Sequence, residues 1–354
     1  MDTKTLVAVL YNDIPPTSPA TDTDFQTPPL HFKPAFDLEV SDTEEEIAEI
    51  VEALRKEGLD VFSFNLRDRF EDLIKVLTER RPDVVFNLVE SHLDSPLSEM
   101  TVTSVYEMLG IPYTGSPPLT LALCQRKGLA KQILLANGIP TPPFKLITEG
   151  KTFIRHGLRY PIIVKPGRED GSHGVENESV VFNLRELKQQ VERILDEFHQ
   201  PVIMERFIDG RELNVSILGW EELVVLPISE IDFSSMPDSL INILTYQAKW
   251  EPRHVAYHRT IPICPARLSK KMEKRIKGLA LKAYKIMGCR DYARVDLRLD
   301  RKNNPFVLEV NPNPHLSEGM GLMRSAETCG FSFAQTLRKI VEFALRRSKK
   351  VKSS

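Results

Sequence analysis

The chain reads as an α/β protein that continues into α+β units, and three observations carry that reading. Its opening third alternates apolar runs of strand length with amphipathic stretches of helical period. Polar, proline-laden or glycine-marked breaks separate those runs. At 354 residues, 42% hydrophobic and 27% charged, the chain suffices for two or three folding units and is too apolar for dominant disorder.

LVAVLY (6–11) has the unbroken apolar character of a buried strand. Asn12 to Pro34 then holds six prolines, which excludes regular structure there. Ser41 followed by Glu44 fits a capping box before a periodic helix, Glu45 to Lys56, closed by Gly58. VFSF (61–64) is a second strand, Phe70 to Arg80 a helix and DVVFNL (83–88) a third strand. A helix from Leu97 to Leu109 and the phrase IPYTGS follow, and the alternation implies an open, mostly parallel sheet.

A second unit begins near Arg126, where KGLAKQILLANG is a helix with a glycine stop ahead of a proline-fixed extended segment. YPIIVKP (160–166), VVF (180–182), VIMERF (202–207) and ELNVSILG (212–219) read as strands, with a helix over Leu184–Phe198. The remainder has strands at 223–231 and 253–263, then a long helix over Ser269–Met287. DYARVDLRLD (291–300), PFVLEV (305–310) and a closing helix over 332–347 complete it. The division is 1–120, 121–219 and 220–354.

The charge balance, 47 Lys+Arg against 49 Asp+Glu, argues against bulk electrostatic binding to nucleic acid or membrane. No apolar stretch reaches the roughly 20 residues a bilayer demands. The start lacks the pattern of a signal peptide. Cys124, Cys264, Cys289 and Cys329 lie far apart without a CxxC pair, which disfavours a zinc site and points to a reducing cytoplasm.

Three clusters carry chemistry. Lys165 ends an apolar strand and is followed by a loop with glycines at 167, 171 and 174. A point charge beside bare backbone N–H groups suits polyphosphate. Second, Glu205-Arg206-Phe207-Ile208-Asp209-Gly210-Arg211-Glu212 links two strands, a connector able to show backbone groups and carboxylates to a nucleoside. Third, Glu309 and Asn311 share a strand face, and Asp296 reaches it if 291–300 and 305–310 pair as a hairpin. Two carboxylates and an amide oxygen are hard ligands suited to magnesium. Arg294, two residues from Asp296, is placed to stabilise an oxyanion.

In this order the clusters resemble the ATP-grasp superfamily and, within it, the D-alanine–D-alanine ligases, from about Val84 to Arg346. The resemblance implies an ATP-grasp fold with an N-terminal parallel-sheet domain, ATP lying between the central and C-terminal domains. Lys127 in ALCQRKGLAKQILLANGIPTPPF and Lys165 in YPIIVKPGREDGSHGV correspond to ATP-contacting lysines, with Ser172 in the covering loop. VIMERFIDGRELNVSILG implies Glu205, Phe207 and Ile208 at the adenine and Glu212 at the ribose. YQAKW implies Lys249 at the γ-phosphate. ARVDLR and LEVNPNP imply Asp296, Glu309 and Asn311 as ligands of two magnesium ions, manganese being an alternative, and Arg294 as the oxyanion partner.

The residues that would read the substrates depart from the family. After the first strand the family has a glycine-rich turn and an ammonium-binding glutamate, where this chain has YNDIPPTSP; Asp37 is the substitute nearest in pattern. Gly171 stands where the family has a serine, and Met320 where a serine binds the second substrate's carboxylate. Ser317 and Arg324 are candidate replacements, and His315 takes the place of a glycine at the reacting centre.

The expected activity is ATP-dependent carboxylate–amine ligation through an acyl phosphate, on small-molecule acid and amine substrates differing from the family's. A plain D-alanine–D-alanine ligase is the first alternative. A non-catalytic ATP-binding sensor or assembly subunit is the alternative from another class, and a purine-synthesis carboxylase a further enzyme alternative. A homodimer through the first domain is also implied.

Overall fold

The computed structural model describes residues 4–13, 30–38, 42–90, 98–148 and 156–353; the Pro-rich run from Ile14 to Pro29 lies outside them. Strand β1 (Leu6–Tyr11) is buried along all but its first residue, as an apolar strand covered on both faces must be. It is the centre of a three-stranded parallel sheet, flanked by β2 (Asp60–Asn65) and β3 (Val84–Leu88). Helix α1 (Thr43–Lys56) starts on Asp42, whose carboxylate accepts from the Glu45 N–H at 2.7 Å. The cap is thus Asp42 rather than Ser41, and its charge also suits the positive helix end.

Helices α2 (Phe70–Arg80) and α3 (Glu99–Met108) cover one face of the sheet, where Leu73, Leu77, Val102 and Tyr106 meet Ala8, Leu10 and Val85. The other face takes α1 and the final helix α10 (Phe333–Ser353), through Ile50, Leu54, Leu337 and Ile340 against Val7 and Val9. The chain's last helix therefore returns to its first sheet. That sheet is clamped to the rest of the molecule.

Next come α4 (Pro118–Gln125) and α5 (Lys127–Ala136), interrupted at Arg126, whose ψ of 78° is non-helical. The sequence signals only α5. A four-stranded antiparallel sheet follows, ordered β4 (Phe144–Ile147), β7 (Val202–Arg206), β5 (Ile162–Pro166), β6 (Val180–Val181). Helix α6 (Leu184–Phe198) packs Leu187, Val191 and Ile194 on it.

The larger sheet is antiparallel, ordered β11 (Ile261–Ile263), β10 (Ser229–Asp232), β8 (Gly210–Gly219), β12 (Asp291–Asp300), β13 (Pro305–Asn311), with β9 (Leu223–Val225) also on β8. Helix α8 (Lys270–Met287) backs it through Ile276, Ala280 and Ala283.

Three differences from the sequence reading stand out. Strand β8, grouped with the smaller unit by proximity along the chain, belongs to the larger sheet, paired along its whole length with β12. The crossing occurs at Gly210, where an added Cβ would meet the Leu299 carbonyl oxygen at 2.0 Å. Of 253–263, only β11 is a strand. The preceding residues turn around His258, which is fully buried. Helix α9 (Gly321–Thr328), unsignalled in the sequence, follows β13.

Candidate active site

The lysine-rich half is built from α5 and the smaller sheet. Lys127 opens α5 and Lys131 lies one turn on, so both share a helix face. On β5 and β7, Ile163 pairs with Glu205, which puts Glu205 diagonally across from Lys165. Glu205 meets Lys131 at 2.7 Å and Lys165 at 2.7 Å. Lys131 also donates to Thr141 Oγ1 and the Leu308 carbonyl at 2.9 and 2.8 Å. Burial penalises the Glu205 anion, but the two ammonium groups more than offset it and hold the carboxyl below its usual range. Burial, opposed by Glu205, pushes Lys131 down to about 8.

The second half is the β12–β13 hairpin. Its register sets Asp296 opposite Glu309 and Arg294 opposite Asn311, with a bulge just after Asp296. Glu309 bonds Lys127 at 2.9 Å, and Asp170 from the glycine loop bonds the same ammonium at 3.3 Å. The Lys127 charge drives the Glu309 carboxyl well below its ordinary range, against the penalty of burial. Burial would lower Lys127, yet Glu309 and Asp170 raise it well above the usual lysine value. Arg294 grips Asp296 in bidentate fashion at 2.8 and 2.8 Å, while Asn214 of β8 adds a bond of 2.7 Å.

These donors fit a hard divalent cation. Both carboxylates face one side, and Glu309 is held as an anion. Among the described residues, no three His, Cys, Asp or Glu side chains cluster as a metal cage. An ion here would thus have two carboxylates and Asn311, leaving positions for water and phosphate oxygens, as magnesium prefers.

Two segments cover this cleft. Trp250 Nε1, on α7 (Tyr246–Trp250), donates to the Gly171 carbonyl at 2.8 Å. Ser172 Oγ donates to the Leu244 carbonyl at 2.8 Å, and the Tyr246 N–H to that of Val175 at 2.8 Å. Gly171, at φ +60°, supplies the left-handed turn. The Ser172 hydroxyl thus helps to join the two covers. Lys249 lies in the electrostatic reach of Arg294, Glu309, Asp296 and Glu212, and burial lowers its proton affinity. Glu212 sits across from Arg298 at 3.8 Å, and Arg298 stacks on Phe207 at 4.9 Å. Ile208 is buried beside them in the connector.

On the first domain's side, Glu46 of α1 meets His315 Nε2 at 2.8 Å and Ser317 Oγ at 2.9 Å. Ser317 and His315 are themselves 2.8 Å apart. Asn313 fixes their loop by accepting from Tyr292 OH at 2.9 Å and donating to the buried Glu99 at 2.8 Å. Asp37 is not part of this cluster; it is exposed, with Pro34, Ala35 and Phe36, at a recess against Tyr257.

The sequence reading therefore missed Lys131, Glu46, Asp170 and Asn214. Lys131 was signalled by its i,i+4 spacing from Lys127, and Glu46 by lying one turn before Ile50 on the buried stripe of α1. Asp170 and Asn214 carry no local signal, because their partners, Lys127 on α5 and Asp296 on β12, lie far away in the sequence.

A cleft lined by fixed lysines and a metal-compatible carboxylate pair, in this architecture, points to a class, and comparison with known proteins agrees. Residues 133–342 match the family model described as D-ala D-ala ligase C-terminus. The chain is 35% identical over 76% of its length to the uncharacterized protein y4sG of Sinorhizobium fredii, covering 76% of that protein. It is 33% identical over 77% of its length to the D-alanine–D-alanine ligase of Pelotomaculum thermopropionicum, covering 84% of it. The crystal structure of the Bacillus anthracis D-alanine–D-alanine ligase complexed with ATP superposes with a TM-score of 0.73 at 24% identity, over 98% of this chain and 99% of that one. The fold is therefore the ATP-grasp fold. The chain belongs to the D-alanine–D-alanine ligase family and is an ATP-dependent ligase of that family. Among the described residues, no helix is long and apolar enough to cross a membrane.

Proposed function

We propose that this ligase joins the carboxylate of one amino acid or small peptide to the amine of another through an acyl phosphate, releasing ADP and phosphate. The observation that carries this reading is the convergence of Lys127, Lys249 and Arg294 on the Asp296–Glu309 pair. Fixed cations and a carboxylate pair on one strand face suit phosphoryl transfer, where positioning and charge stabilisation do most of the catalysis.

In this reading Lys127 and Lys165 hold ATP phosphates, and Glu205, Phe207, Ile208 and Glu212 receive the nucleoside. Magnesium, held by Asp296, Glu309 and Asn311, would neutralise charge on the transferring group. The substrate carboxylate attacks the γ-phosphorus; Lys249 steadies the moving phosphoryl group and Arg294 the later tetrahedral oxyanion. The joined covers exclude water, which would otherwise hydrolyse the acyl phosphate. Unlinked cysteines are consistent with cytoplasmic placement.

The Glu46–His315–Ser317 cluster, in place of a plain loop, supports substrates other than two D-alanines. The relatives named D-alanine–D-alanine ligase support the second reading, in which D-alanine is both acid and amine. Phosphate release and product mass with D-alanine, L-amino acids and dipeptides separate the two. Dominant D-alanyl-D-alanine formation would refute the altered-substrate reading, and no ADP from any pair would refute ligation.

A further inference from the structure

The ligation step needs an uncharged amine, whereas amines reach the enzyme as ammonium ions at neutral pH. Lys127 and Lys165 are held by Glu309 and Glu205, and Lys131 is locked in the buried network with Glu205, Thr141 and Leu308. Arg294 is a guanidinium bound to Asp296, and Lys249 has its role at the γ-phosphate in the proposed reaction. His315 is different. Its Nε2 is 2.8 Å from Glu46 Oε2 and 2.8 Å from Ser317 Oγ, which sets the Nε2–H tautomer. Nδ1 then carries the lone pair, and among the described residues no hydrogen bond to it is found. The side chain is 34% exposed, so a substrate can reach it. His315 lies in the loop directly after β13, whose last residue, Asn311, is paired with Arg294, and the Arg294 charge acts on its ring.

We propose that His315 is the general base that deprotonates the incoming ammonium group, with Glu46 and Ser317 as its positioning residues. This rests on the ligase reading above. His315 Nδ1 takes one proton from R–NH3⁺, and the freed nitrogen lone pair attacks the acyl carbonyl. The C–N bond forms and the C–O bond to phosphate breaks. The second N–H proton leaves with the phosphate as hydrogen phosphate, and the imidazolium returns its proton to water.

The charged groups facing the ring are Glu46 on α1, Glu90 after β3 and Arg294 on β12. Burial and Arg294 disfavour the imidazolium, but Glu46 and Glu90 prevail and raise the proton affinity of His315. A base strengthened in this way is closer to an amine in proton affinity and accepts its proton more readily.

The test uses the full chain with ATP, magnesium and an equimolar pool of D- and L-amino acids. Phosphate release from the pool reads ligation to ammonium-form amines. Adding hydroxylamine, already uncharged at neutral pH, reads hydroxamate formation without need of a base. His315→Asn should lower pool ligation by about 10²-fold or more, while hydroxamate formation changes less than about threefold. Glu46→Gln should shift the rising limb of the pH–rate profile to lower pH, because His315 loses the anion that favours its protonated form. Equal losses in both assays for His315→Asn, or no loss in either, would overturn the proposal, as would an unmoved limb in Glu46→Gln. A wild-type chain forming neither product would instead sink the ligase reading, and thermal melts of both variants identify a folding failure.

Discussion

The lysine-rich half of the cleft and the histidine half hold their charges in opposite ways. Lys131 and Glu205 are each 1% exposed and are fixed by several partners from different elements. His315 and Glu46 are 34% and 21% exposed, and their cluster bridges α1 and the loop after β13. A buried charge network has one geometry, because any unpaired member bears a desolvation penalty. A half-exposed cluster can exchange a protein partner for a substrate group at small cost. Under the proposed function, the first half would hold the constant ligand, ATP, and the second would meet the variable one.

The sharpest way to break that contrast is Glu205→Ala, which leaves Lys131 and Lys165 facing each other in the interior. It should destabilise the fold by about 3–5 kcal/mol, read from denaturant midpoints. The double variant Glu205→Met with Lys131→Met should recover part of the loss. A drop below 1 kcal/mol for the single change would mean the network is not the rigid element described. Next in size, Glu309→Gln should cut ADP formation by about 10²–10³-fold with the fold retained, since the anion that faces Lys127 and would hold metal is gone. Near-normal turnover would remove Glu309 from the site.

A smaller effect is expected of the covers. Trp250→Phe deletes the bond from Nε1 to the Gly171 carbonyl, about 1 kcal/mol and a few-fold in the ATP KM. An unchanged KM would show that the two covers close independently.

The smallest effect concerns the histidine half. Glu46 is held below its ordinary 4.5, burial being outweighed by His315 and Ser317, and His315 above its ordinary 6.5. The Glu46 contribution is whole above pH 4.5 and lost as pH falls through its depressed value. The His315 contribution is whole below pH 6.5 and lost as pH rises through its raised value. The stability difference between wild type and Glu46→Gln should therefore peak between pH 4.5 and 6.5, at less than about 1 kcal/mol. A difference growing steadily above that window would contradict the assigned ion pair.

Much of this was legible in the residues alone. The three parallel strands follow from short apolar runs between helical stretches, unbroken only in β1, and α2 and α6 begin and end where their periodicity does. The Asp296–Glu309 hairpin follows from period two and a short turn. What stayed hidden depends on contacts between distant segments. Strand β8 joins the larger sheet because Gly210 lets its backbone meet Leu299. Asp37 looked like the ammonium ligand by local pattern, whereas the carboxylate reaching the 315–317 loop is Glu46, some 270 residues away in sequence. The division at 219 missed β8 because chain proximity is a poor guide to sheet membership.

The central claim is that ATP activates a substrate carboxylate as an acyl phosphate. It is tested most directly by supplying the amino-acid pool with carboxylates labelled in heavy oxygen and analysing the released phosphate by mass spectrometry. Ligation through an acyl phosphate transfers one labelled oxygen into each phosphate formed. Unlabelled phosphate alongside ADP, or label appearing in AMP, would contradict it.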